Sequence, residues 1–244
     1  SVPVGPTHRK VLAYNTSLGA WSHGTHVAGI VVGDSGAFDD LRGIAYLGKL
    51  VYGAVPSYAE TDIVNALTLH HDQGARVHTN SWGDDGTTAY NGLARGFDVF
   101  CYDYEDDLVL LAVTNTSTLK NPENAKNLLA VGASRDTPDQ SEHCTGGSGP
   151  TSDGRRKPEV YAPGCSTTSA RSGTSCDTRS MTGTSMACPA VAGTAMLVRQ
   201  YYLEGYYPSG APDGNDAFTP SAALLKATLL NSAVDMTGVA GYPS

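Results

Sequence analysis

The chain has 244 residues, of which 40% are hydrophobic and 16% charged, with 28 glycines and a net charge of −8. That length fits one α/β domain with a sizeable core, and the composition argues against a disordered or coiled-coil protein. The acidic balance, with a pI of about 5.2, and the lack of any basic run longer than Arg155-Arg156-Lys157 speak against a nucleic-acid partner, while no apolar stretch reaches the roughly 18 residues of a membrane span.

In chain order, a first helix is expected over Ser22–Val32. Lys49–Val55 reads as a strand, and a helix follows over D-I-V-N-A-L-T-L-H-H-D-Q-G. Thr61 is placed to cap that helix and Gly74 to end it, with Ile63, Ala66, Leu67 and His70 on one face. Val77–Asn80 is the next strand and Tyr90–Tyr102 the next helix. Leu108–Val113 and Leu128–Ala133 are nearly continuous in apolarity, as buried parallel strands are. A long helix is expected from Ser185 to Glu204, stopping at Gly205. Thr219-Pro220 marks the start of a last helix, which runs to Ser232. Strands alternating with helices imply an α/β fold, a mostly parallel sheet with helices on both faces.

Five cysteines (Cys101, Cys144, Cys165, Cys176 and Cys188) show no CxxC spacing, which disfavours a zinc site. Cys165 and Cys176 bracket a Ser/Thr/Gly-rich loop and are the expected disulfide; Cys101–Cys144 is a weaker pairing, and Cys188 is then the odd thiol. The alternative is five free thiols. Bracketing of the loop favours an oxidising compartment, so the chain is expected to be secreted or lumenal.

All seven histidines precede Ser185. That order excludes the α/β-hydrolase class, whose serine comes before its histidine, and Gly183-Thr184-Ser185-Met186-Ala187 lacks the G-x-S-x-G form. Two segments stand out, H-G-T-H-V-A-G at His23–Gly29 and G-T-S-M-A-C-P at Gly183–Pro189. A serine hydroxyl needs an adjacent base to become a nucleophile, and an imidazole titrating near neutrality suits that task. His26 is read as a core or supporting residue, and a His23/His26 metal pair has no evident third ligand.

Together these segments closely resemble the subtilisin family of serine endopeptidases. N-S-W-G at Asn80–Gly83, A-V-T-N at Ala112–Asn115 and D-G-R-R-K-P-E-V-Y-A-P-G at Asp153–Gly164 extend the likeness in the family's order, nearest to its alkaline-protease branch. The resemblance implies a subtilisin-like three-layer fold. It makes Ser185 the nucleophile and His23 the general base, with the Asn115 amide and the Ser185 N–H as donors to the oxyanion. Polypeptide substrates would bind by strand addition. Ser81, Trp82 and Gly83 would form one edge, Ala112, Val113 and Thr114 the opposing side of the primary pocket, and Ser57-Tyr58 a second edge. No cofactor is implied for catalysis; structural calcium is common in the family, but no acidic cluster here assigns its ligands.

The chain departs from the family at both ends. The 22 residues before His23 contain no Asp or Glu, so the family's triad aspartate is missing; Asp34, Asp39 and Asp40 follow the His helix and are poorly placed to replace it. The family's last strand is also not evident, so residues 1–244 read as a single peptidase domain without its Asp-bearing segment and that strand. Three readings follow: a fragment, an aspartate supplied by a propeptide or neighbouring chain, or a pseudoprotease acting as a peptide-binding or structural subunit. On either of the first two, this chain alone would be poorly active. Gly33-Asp34-Ser35-Gly36 imitates a chymotrypsin nucleophile string, yet Ser35 lies only 12 residues after His23 and is read as a surface turn. Asn15-Thr16-Ser17 and Asn115-Thr116-Ser117 fit the glycosylation pattern, with Asn15 the one that can be modified without losing the cleft amide.

Overall fold

The structure is a computed structural model and describes residues 4–34 and 41–237. Its elements are β1 (Val11–Asn15), α1 (Ser22–Val32), β2 (Leu50–Gly53), α2 (Glu60–Asp72), β3 (Val77–Asn80), α3 (Gly92–Asp103), β4 (Leu108–Ala112), β5 (Leu129–Ser134), β6 (His143–Thr145), β7 (Val160–Pro163), β8 (Thr167–Ala170), β9 (Thr178–Met181), α4 (Thr184–Leu203) and α5 (Ala222–Ser232).

Strand β4 shows why the layers form. Successive side chains leave a strand on opposite faces. Leu108, Leu110 and Ala112 pack with Ala187, Val191 and Leu225 of α4 and α5, whereas Val109 and Leu111 pack with Ile63, Phe97 and Phe100 of α2 and α3. A strand apolar on both faces can only be stable between two helical layers, and the result is a three-layer α/β fold.

Strands β3, β4, β5 and β7 are parallel, with β6 antiparallel against the end of β5. Strands β1 and β2 pair parallel with each other in a separate two-stranded sheet. The expected continuous sheet is therefore divided in two. Between the parts lies a cavity of about 1010 Å³, with β2 lining one wall and β3 another, and with His23, Val27, Ile63 and His70 from the flanking helices. No ladder joins β2 to β3 among the described residues.

Helix ends correct the sequence reading in two places. Helix α2 starts at Glu60 after Ala59, so Thr61 lies inside it and makes no cap. Helix α5 is capped by Ser221, whose hydroxyl accepts from the Leu224 N–H at 3.2 Å; Thr219-Pro220 lies just upstream. Strand β1, V-L-A-Y-N, lies in a stretch to which the sequence assigned no element.

The disulfide also differs from expectation. Cys144 of β6 is bonded to Cys165 just after β7, with Cα atoms 6.4 Å apart, and Cys101, Cys176 and Cys188 are free. The Cys165–Cys176 pairing fails because the loop is a hairpin: β8 and β9 pair Thr167 with Met181 and Ala170 with Thr178. Cys165 stands at the root and Cys176 at the tip, so roughly 13 Å of strand separates them, beyond the roughly 7 Å that a disulfide spans. Cys188 is the unpaired buried thiol that was expected, its pKa pushed up to about 12 by burial.

Candidate active site

Ser185 is the second residue of α4, where free N–H groups and the helix dipole favour negative charge. Gly183 precedes the helix with φ +155°, a backbone state that disfavours any side chain. Thr184 is buried and its hydroxyl donates to the Val113 carbonyl at 2.5 Å, tying the start of α4 to the end of β4. Asn115 follows β4 and its Oδ1 accepts the Thr184 N–H at 3.0 Å. That contact consumes the acceptor end of the Asn115 side chain and leaves its amide Nδ2, exposed beside the Ser185 turn, as a donor.

Ser81 has a role that sequence reasoning did not find. Pro189 sits inside α4 and has no N–H to give the carbonyl four residues earlier, that of Ser185. The Ser81 hydroxyl donates to that carbonyl instead, at 3.1 Å. The signal was legible: a proline in the first turns of the helix that starts at Thr184 frees a carbonyl for a donor outside the helix.

His23 lies in the first turn of α1, which packs against α4, so the structure brings the histidine and serine motifs onto neighbouring helices. Its ring is half-buried on the cavity wall, and burial holds its pKa below the ordinary imidazole value. No carboxylate is recorded as a partner of His23 among the described residues. Asp34 is engaged elsewhere, with Arg9 at 2.9 Å and Arg42 at 3.4 Å. Asp39, Asp40, and the Ser35-Gly36 part of the chymotrypsin-like string lie outside the described residues.

The predicted substrate-binding segments converge in part. Ser57 and Tyr58 are exposed just before α2, and the Tyr58 ring stacks on Trp82 at 6.1 Å. The Tyr58 hydroxyl donates to the Gly83 carbonyl at 2.9 Å, so the two candidate edges touch. Trp82 is half-buried against Phe97 and donates to Asn80. On the opposite side, Ala112 and Val113 are buried in the core, and the Thr114 N–H donates to the Glu123 carboxylate at 3.0 Å. Thr114 also donates through its hydroxyl to Asp85 at 3.1 Å.

Two sequence-flagged groups take structural parts. Asn15 exchanges hydrogen bonds with Gln73 through both ends of its amide, so a glycan there would break that pair. Lys157 of the basic run is buried against Glu159 at 2.8 Å, its pKa pushed down to about 8 by burial.

Among the described residues, His71, Asp106 and Asp107 are close enough to share a metal ion. They do not fit calcium. Asp106 already receives Arg76 and Arg199 at 3.3 Å each, and Asp107 is bonded to His71 and His78. Calcium takes oxygen ligands rather than imidazole, and two guanidinium groups already neutralise the site.

Comparison with known proteins bears on the family and the fold. The sequence pattern of the subtilase family, peptidase S8, matches residues 8–242. The serine protease/ABC transporter B family protein tagA of Dictyostelium discoideum is 25% identical over 95% of this chain and 20% of its own length. A subtilisin-like protease of Coccidioides posadasii (strain C735) is 31% identical over 82% of this chain and 50% of its own. The chain thus spans about a fifth of the Dictyostelium relative and half of the fungal one. Among solved structures, a cold-adapted subtilisin-like serine proteinase aligns with TM-score 0.69 at 21% identity, over 96% of this chain and 77% of that one. The PatG macrocyclase bound to a peptide aligns with TM-score 0.67 at 20% identity, over 88% and 60%.

Proposed function

The chain belongs to the subtilase family, and from that premise we propose that it forms most of the catalytic domain of a serine endopeptidase acting on extended polypeptides. Ser185 attacks the scissile carbonyl while His23 takes its proton. The acyl-enzyme forms as His23 returns that proton to the leaving amine, and water then releases the acid by the same route. The Asn115 amide and the Ser185 N–H carry the oxyanion. The observation that carries this reading is the Thr184–Asn115 hydrogen bond, which supports a donor pinned beside the N-terminus of the nucleophile helix.

The aspartate that orients His23 comes, on this reading, from sequence outside this chain. Two observations support it. Burial lowers the His23 pKa, and among the described residues no carboxylate opposes it. The cavity of about 1010 Å³ that separates β2 from β3 has His23 on its wall. A strand placed there would continue both parallel sheets and bring an acidic side chain to the ring. We also place the protein in a secreted or lumenal compartment, which the Cys144–Cys165 disulfide supports. No helix among the described residues is long and apolar enough to cross a membrane.

The test is labelling with a serine-reactive phosphonate. Modification of Ser185 that disappears in both Ser185→Ala and His23→Ala is the expected result. A folded protein that hydrolyses peptides equally well as the Ser185→Ala variant sinks the enzyme reading and leaves a peptide-binding or structural subunit.

A further inference from the structure

The β8–β9 hairpin touches both halves of the candidate site. It begins and ends at the nucleophile. The Gly183 N–H donates to the Gly164 carbonyl at 2.8 Å, and the Ser166 N–H donates to the Thr182 hydroxyl at 2.9 Å. These two bonds close the hairpin root directly before Thr184 and Ser185. Ser166 holds a positive φ of 57°, an unfavourable state for a serine that the Thr182 bond offsets.

The body of the hairpin grips the helix that carries His23. His26 is fully buried, and its Nε2 lies 3.1 Å from the Thr167 carbonyl and 3.0 Å from the Arg179 carbonyl. Both partners are acceptors, so Nε2 must carry the proton and donate to them. Burial lowers the pKa of this ring, which favours its neutral form, and the buried Nδ1 has no hydrogen-bond partner among the described residues. The Ser169 hydroxyl donates to the His26 carbonyl at 2.8 Å, and Arg179 donates to the Ser22 hydroxyl at 2.7 Å. Gly29 allows the contact, since a side chain there would meet Ser169 and come within 2.9 Å of Ala170. Helix α1 has no side-chain cap of its own, so the hairpin fixes its first turn.

The disulfide anchors this device. Cys165 lies in the root of the hairpin and is bonded to Cys144 of β6, which pairs with β5 of the main sheet.

We propose that the β8–β9 hairpin is the positioning element that sets His23 against Ser185, with His26 as its clamp on α1 and the Cys144–Cys165 disulfide holding its root to the sheet. The proposal rests on the enzymatic reading above, and it predicts a coupling that ordinary packing does not. Loosening the root at Cys144, on one side of the hairpin, should release the turn at Ser22–Val27 on the other.

The experiment uses the chain together with the outside sequence that supplies the aspartate, and compares wild type with Cys144→Ser, His26→Phe and His26→Asn, and with Cys176→Ser at the hairpin tip as control. Phosphonate labelling is followed across pH at a temperature where each variant is folded. Cys144→Ser and His26→Phe are expected to label about 10²-fold more slowly, as for a misplaced catalytic group. Their acid limb should move up toward the ordinary imidazole value as water reaches His23. His26→Asn keeps a donor for the two carbonyls and should recover much of the rate, and Cys176→Ser should match wild type. Folded variants with wild-type rates and an unmoved acid limb would overturn the proposal. A second readout separates this from failure of the enzymatic reading, which an unlabelled wild type would signal. Amide hydrogen exchange at residues 22–27 and 182–186 should speed up together in Cys144→Ser. If exchange rises only at the root and stays unchanged in 22–27, the hairpin does not couple the two motifs.

Discussion

Asn115 accepts the Thr184 N–H through its Oδ1 at 3.0 Å, one residue before Ser185. The side chain is thus held by its oxygen, and its amide is left as the donor that the proposed oxyanion role requires. Asn115→Ala is expected to lower kcat about 10²–10³-fold with KM little changed, the range known for a lost oxyanion donor in subtilisin. Steady-state kinetics on a peptide substrate checks this, and a loss confined to KM would remove Asn115 from the oxyanion site.

Gly183 stands at φ +155°, and a methyl group there would lie 3.4 Å from the Asn115 amide. Gly183→Ala should destabilise the protein by about 1–3 kcal/mol and slow Ser185 labelling. Denaturant unfolding together with labelling tests it. A variant as stable and as reactive as wild type would show that the turn relaxes freely.

The Tyr58 hydroxyl occupies the Gly83 carbonyl, which a bound peptide would need as an acceptor. Tyr58→Phe keeps the stacking on Trp82 and frees that carbonyl. KM for long peptides is expected to fall a few-fold, about the effect of one neutral hydrogen bond, while short ester substrates are unaffected. Equal effects on both would place the edge elsewhere.

His70 lines the cavity, and burial, with His78 nearby, lowers its pKa to about 4. An unfolded histidine titrates near 6.5, so between these values the unfolded chain binds a proton that the folded chain refuses. Stability is therefore full above about pH 6.5 and is lost as pH falls toward 4. Replacing His70 with Leu should flatten that fall, as seen in melting temperature between pH 7 and pH 4.5. An unchanged slope would assign the acid sensitivity to other groups.

Asp107 is fully buried and receives His78 at 2.6 Å and His71 at 2.8 Å. Burial alone would raise its pKa, but these bonds outweigh it and hold the carboxyl below its ordinary value. Asp107→Ala leaves two imidazoles without their partner and should cost about 3–5 kcal/mol. Chemical denaturation measures it, and a loss below the scale of one hydrogen bond would mean that water replaces the carboxylate.

The two motifs were readable because they are local. H-G-T-H-V-A-G and G-T-S-M-A-C-P each put the candidate side chain, His23 or Ser185, in the first turn of a helix whose apolar pattern and glycines are plain in the chain. The continuous apolar runs of β4 and β5 likewise announced strands buried on both faces, and β3 was found with its expected bounds.

What pairs with what was not local. The Cys144–Cys165 bond, the Ser81 donor to the Ser185 carbonyl and the hold of His26 on the β8–β9 hairpin join residues 21, 104 and 141 or more positions apart. Composition and spacing limit which groups want partners: a proline-deprived carbonyl, a buried imidazole, a thiol. Which partner each one meets depends on strand register and helix packing, because those alone bring distant stretches within the 3 Å or so of a hydrogen bond. The sequence by itself therefore marked Ser185 and His23 as candidates and announced the layers that carry them, and the tertiary structure decided which distant groups hold each motif.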